Sequence, residues 1–188
     1  MTLLALAVSH RGVVDPEEPA VHADDEALLR GRAAFETLRV YGGSPFRLED
    51  HLHRLADSAA RIDLPPPDLD ECRALASAVL ERADTPDAVL RFYWTPGREG
   101  AANATLFALV SSLPPHLEEL RAHGIRLVSL LGVRAEAPWL LGGVKSTSYA
   151  VNMAAEAEAR RRGAKPTHWT PGDVAGDGCS QPANLAGH

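Results

Sequence analysis

The chain has 188 residues, of which 45% are hydrophobic and 23% charged, and a formal net charge of −6. That length suits one large domain or two small ones, and the composition suits a packed core rather than disorder. The acidic balance argues against nucleic acid as the main partner, because phosphate binding needs clustered Lys and Arg, and no apolar run approaches a membrane span.

In chain order, the opening "TLLALAV" (2–8) reads as a buried strand rather than a leader peptide. "AFETLRVY" (34–41) is a second strand. It meets "SPFRL" across Gly42-Gly43, which is a hairpin signal. Residues 49–62 are helical, with Leu52, Leu55, Ala56, Ala59 and Ile62 on one face and the pairs Asp50–Arg54 and Asp57–Arg61 on the other. Three prolines in "DLPPPD" end that helix, and residues 69–83 form the next one. Strands "AVLRFYWT" and "ATLFALVSS" follow, joined by the turn-rich "PGREGAAN". "PPHLEELRAHG" is a short helix stopped by Gly124, and "IRLVSLLGV" a further strand. A strand then runs into Lys145, and a helix extends from about Ser148 to Arg162, where three arginines suit a helix C-terminus.

The pattern predicts an α+β fold. It has an N-terminal antiparallel or mixed sheet with two helices, then the start of an incomplete second sheet-containing domain that carries the lysine strand and a helix. The expected divisions are an N-terminal domain over 1–116, the beginning of a second domain over 117–163, and an irregular tail over 164–188. The tail has three prolines, four glycines and no convincing strand, so it is expected to pack poorly and add little to any site. Cys72 and Cys179 are too few for a disulfide scaffold or a zinc site, and a reducing cytoplasm is the expected setting. No HExxH or paired His/Cys spacing occurs. His51 and His53, two apart, point different ways on a helix, so no metal site is expected.

"GGVKSTSYAVNMAAEAEARRRGA" holds the chemically suggestive residue. Two glycines before Lys145 would let a planar ring approach the backbone, and Ser146, Thr147 and Ser148 could cap the next helix, whose N-terminus favours anions. A nucleophilic lysine of this kind needs a desolvated pocket. The alternative is a solvated lysine beside ordinary capping residues.

"RGRAAFETLRVYGGSPFRLEDHLHRLADSAARIDL", "LRFYWTPGREG" and the lysine segment, in that order and spacing, resemble the class IV aminotransferases, the fold type IV pyridoxal phosphate enzymes. The resemblance covers roughly residues 1–163. It implies pyridoxal 5′-phosphate as cofactor, with Lys145 as the Schiff-base lysine and proton shuttle. It also implies Arg54 as the phosphate-holding arginine, more important to the cofactor than to folding, and Tyr149 near the ring hydroxyl. Phe35 and Arg39 come from the "FE-x-L-R" strand, with Phe35 walling the substrate pocket. Glu36 and Arg39 are expected to pair with each other or with neighbours on the sheet.

The implied reaction moves an amino group between an amino acid, branched-chain-like, and a 2-oxo acid, in a cytoplasmic homodimer. Aminodeoxychorismate lyase, forming 4-aminobenzoate on the same fold, is the close alternative. The sequence departs from the family where Thr95-Pro96-Gly97 stands for a Thr-Arg-Gly turn, which puts D-alanine-type specificity in doubt. It departs again after Gly163, where the family's pyridine-binding glutamate is expected. That ending also suggests a truncated or frame-altered relative, weak in cofactor binding and activity, or a non-catalytic remnant.

Overall fold

The computed structural model describes residues 1–101, 103–124, 128, 130 and 143–163. Strands expected over 125–133 and just before Lys145, and the tail over 164–188, lie outside the described residues. Two compact units divide the chain: Met1–Pro115 with Val144–Ser148, and His116–Gly143 with Tyr149–His188.

The first unit is built on a six-stranded sheet. Its strands are β1 (Leu3–Val8), β2 (Gly12–Val14), β3 (Ala34–Tyr41), β4 (Ser44–Pro45), β5 (Ala88–Thr95) and β6 (Thr105–Ser111). They lie in the order β2-β1-β6-β5-β3-β4, every pair antiparallel. The α+β expectation therefore holds for this unit.

Alternation decides which face is core. In β3, Ala34, Glu36, Leu38 and Val40 are buried, and the residues between them are partly exposed or exposed. Register sets Leu38 beside Leu90 and Leu90 beside Val110. Helices α2 (Leu48–Ala60) and α3 (Leu69–Ala83) complete the core with Leu52, Leu55 and Ala59 and with Cys72, Leu75, Ala76 and Val79. Burying a Leu side chain of this kind contributes about 2 kcal/mol. Asp68 caps α3 through the backbone N–H groups of Asp70 and Glu71, at 2.8 and 3.2 Å.

On the other face, the registers Phe35↔Tyr93↔Phe107 line up three aromatic rings. They stack with centroids 5.6 and 4.9 Å apart and interplanar angles of 12° and 11°.

Three local expectations are corrected. "SPFRL" gives only the two-residue β4, because Arg47 turns into the left-handed region (φ 52°) and α2 begins at Leu48. Arg54 does not pair with Asp50, which bonds Arg47 at 2.5 Å. The N-cap of the final helix α5 (Ala150–Arg161) is Tyr149, beyond the Ser-Thr-Ser run, and Ser148 Oγ instead donates to the Gly31 carbonyl at 3.0 Å.

The sequence reading also missed the helix α1 (Glu26–Arg30). Asp25 caps it through Ala27 N (2.8 Å) and accepts a bond from Thr95 Oγ1 (2.9 Å). Gly97 N donates to the same hydroxyl at 3.1 Å, and Gly97 O accepts from Glu26 N at 3.0 Å. Gly97 has φ +82°, and a Cβ built there would lie 2.1 Å from Asn103 O. Gly97→Ala is therefore expected to destabilise the first unit by about 2–3 kcal/mol, from left-handed strain plus the backbone clash. A urea midpoint equal to that of the wild type would refute this. In the second unit, α4 (Leu117–His123) and α5 are the described helices, and Arg160, Arg161 and Arg162 pair with Glu156 and Glu158. No helix among the described residues is long and apolar enough to cross a membrane.

Candidate active site

Lys145 is held by the start of β3. Its carbonyl accepts from Phe35 N at 3.0 Å, Ser146 pairs antiparallel with Ala34, and Thr147 N donates to Ala33 O at 2.9 Å. Three residues thus lie along β3 like the end of an added strand. The ε-amine sits 3.6 Å from the centroid of the Phe35 ring, a cation–π contact. From α2, Ser58 Oγ accepts from Lys145 N in a long bond of 3.4 Å.

Beside this amine stands a buried ion cluster. Glu36 is fully buried. Its Oε1 accepts from Arg54 Nε at 2.7 Å, and its Oε2 accepts from Arg54 Nη2 at 2.6 Å and from His51 Nδ1 at 2.8 Å. His51 and Arg54, three apart on α2, share the helix face over Glu36. Burial alone would raise the Glu36 pKa, but the Arg54 and His51 bonds outweigh it and hold the carboxyl below its ordinary range.

Burial likewise dominates at Lys145 and brings its pKa down to about 8. Glu36 opposes the fall, while Arg54 and Arg91 add to it. A lysine in such surroundings supplies free amine near neutral pH, which a carbonyl nucleophile requires.

Of the residues singled out in the sequence, Lys145, Phe35 and Arg54 come together around Glu36. Arg39 does not join them. It lies four residues along β3 from Phe35, bonded to Asp87 at 2.8 Å and stacked 4.6 Å over Tyr41. Tyr149 stands at the N-cap of α5 in the second unit. Within the Thr95-Pro96-Gly97 turn, Thr95 is buried and tied to Asp25.

Sequence reading left the partner of Glu36 open and did not use His51. The signal was available, because strand parity puts Glu36 with Ala34, Leu38 and Val40, and an acid on a core face demands cationic partners.

An antiparallel sheet, two helices on one face and a lowered-pKa lysine against an aromatic ring define the class. The chain belongs to the class IV aminotransferase family, whose profile matches residues 33–169. It is similar to a bifunctional aminodeoxychorismate lyase / D-amino acid transaminase of Mycobacterium tuberculosis, 39% identical over 160 residues, which covers 81% of this chain and 55% of that protein. A putative branched-chain-amino-acid aminotransferase of Methanocaldococcus jannaschii is 30% identical over 160 residues, covering 80% and 54%.

Among solved structures, a hypothetical aminotransferase from Mycobacterium tuberculosis with alpha-ketoglutarate and PMP bound superposes with a TM-score of 0.79. It is 37% identical and covers 85% of this chain and 59% of that one. The PLP-bound form of that hypothetical aminotransferase gives 0.75. The chain thus spans about half the length of the curated relatives it matches.

Proposed function

We propose that this chain carries the lysine of a pyridoxal-phosphate-dependent class IV aminotransferase, which moves an amino group between an amino acid, branched-chain-like, and a 2-oxo acid. The observation that carries the reading is the Lys145 amine, seated 3.6 Å from the Phe35 ring with its pKa brought down to about 8.

The residues present fit the cofactor. Lys145 offers an amine for an aldehyde, and Arg54 a guanidinium for a phosphate. Thr147 Oγ1, two residues from Lys145, is buried with no hydrogen-bond partner among the described residues. When bound, the cofactor supplies the aldehyde and a ring that accepts electrons from the substrate α-carbon. Lys145 then serves as attachment point and proton carrier. Arg54 balances phosphate charge, Phe35 walls the pocket, and Tyr149 takes the place near the ring hydroxyl that the family resemblance gives it.

The proposed working form is a cytoplasmic homodimer acting on small molecules, divided at 1–116, 117–163 and 164–188. A second reading, aminodeoxychorismate lyase, is favoured by the bifunctional Mycobacterium tuberculosis relative.

The test is borohydride reduction of the full chain with pyridoxal phosphate, followed by peptide mapping. The sequence holds two lysines, Lys145 and Lys165, so the map is simple. The label is expected on Lys145. A label on Lys165 or on the Met1 amine removes the assignment, and no label at all points to a non-catalytic remnant. Release of 4-aminobenzoate from aminodeoxychorismate, without amino transfer to a 2-oxo acid, would favour the lyase.

A further inference from the structure

Glu36 is the acid that the alternation of β3 turns into the core, and it is 0% exposed. His51 Nδ1, 2.8 Å from Oε2, must carry a proton to bond a carboxylate. The 3.2 Å approach of Arg54 Nη2 to that nitrogen therefore sets two donors side by side and is no bond of its own. Both oxygens of Glu36 are thus committed to α2. The neighbouring residue Phe35 carries the Lys145 ammonium on its ring and bonds the Lys145 carbonyl.

Among the described residues, the ionic groups acting on Lys145 are Glu36 from β3, Arg54 from α2 and Arg91 from β5, with His51 reaching the site through Glu36. Two of these are guanidiniums that disfavour an ammonium, and Glu36 is the group that favours it.

We propose that Glu36 is a positioning residue for Lys145: its buried carboxylate clamps Arg54 and His51 onto β3 and supplies the negative charge that keeps the lysine ammonium seated on the Phe35 ring. The proposal rests on reading Lys145 as the reactive amine. With Glu36 in place, burial and two guanidiniums lower the amine only as far as about 8. Both protonation states are then populated near neutral pH, as an amine that must attack and also hold a proton requires. Without Glu36, nothing among these groups opposes the loss of the proton.

The experiment follows the pH profile of acetic anhydride labelling at Lys145 in the full chain, free of cofactor, with Lys165 and the Met1 amine as internal references. In Glu36→Gln, which keeps the shape and one acceptor oxygen, the Lys145 midpoint is expected to fall by about one pH unit, roughly tenfold in proton affinity. Unfolding cannot imitate this, because an unfolded lysine moves the other way, towards about 10.4. The double variant Glu36→Gln/Arg54→Gln buries no charge from this pair and keeps the test decisive if the single variant fails to fold. There the midpoint still falls, by less. An unchanged or raised Lys145 midpoint in the folded variant overturns the proposal. Since the probe is not the cofactor, a failed pyridoxal phosphate label with a fallen midpoint would remove the proposed function and leave this role standing.

Discussion

Arg54→Ala is expected to lower stability at pH 7 by about 3 kcal/mol. That is the low end for removing one partner of a buried ion pair, because the Arg54 side chain is itself 36% exposed and part of its charge is solvated. The loss comes mainly from Glu36, left buried with His51 as its remaining hydrogen-bond partner among the described residues. This changes what the family resemblance alone implies for Arg54. Folding bears a large cost, so any fall in cofactor affinity has to be measured on the folded fraction.

The pH dependence separates the two effects. In the wild type, Glu36 titrates below its ordinary 4.5, so its contribution is present above that value and is lost as pH falls through the folded pKa. In Arg54→Ala, burial dominates and the carboxyl pKa rises. The stability gap between the two proteins is therefore widest at neutral pH and narrows as pH falls through the raised carboxyl pKa of the variant. Urea titrations at pH 7 and pH 4 check this. A gap that does not change with pH would mean that Arg54 acts through packing of its stem rather than through Glu36.

The elements that were legible share one property: their signals are local and repeated. β3 at 34–41, α3 at 69–83 and β5 at 88–95 have the bounds their periodicity predicts. The Gly42-Gly43 turn also lies within a few residues of what it organises.

What was not legible depends on partners far along the chain. α1 is five residues long, and a helix so short does not hold itself. It exists because Asp25 reaches Thr95. The i,i+4 rule offered Asp50 to Arg54, worth a few tenths of a kcal/mol at the surface. Glu36 wins because a desolvated carboxylate attracts a guanidinium more strongly than a hydrated one does. The seat of Lys145 on Phe35 had no periodic signal. Family resemblance supplied both residues, and backbone bonds across 110 positions join them.

The same site makes Lys145→Met a stabilising change. Substitutions of a solvated lysine usually fall within about 0.5 kcal/mol. Lys145 has its pKa brought down from 10.5 to about 8, so at pH 7 the fold carries an ammonium it disfavours. Between about pH 8 and 10.5 the unfolded chain binds a proton that the native chain has released, so native stability rises with pH across that window. By linkage the cost at pH 7 is of order 3 kcal/mol. An uncharged side chain of similar length removes that cost and fills the same space over Phe35, so Lys145→Met is expected to gain about 2–3 kcal/mol at pH 7. It should also lose the wild type's rise between pH 8 and 10. The other ionisable groups are common to both proteins and cancel in the comparison. A variant less stable than the wild type at pH 7, or one that keeps the same slope, would show that Lys145 is an ordinary solvated cation. The expected result instead describes a buried lysine whose charge the fold disfavours.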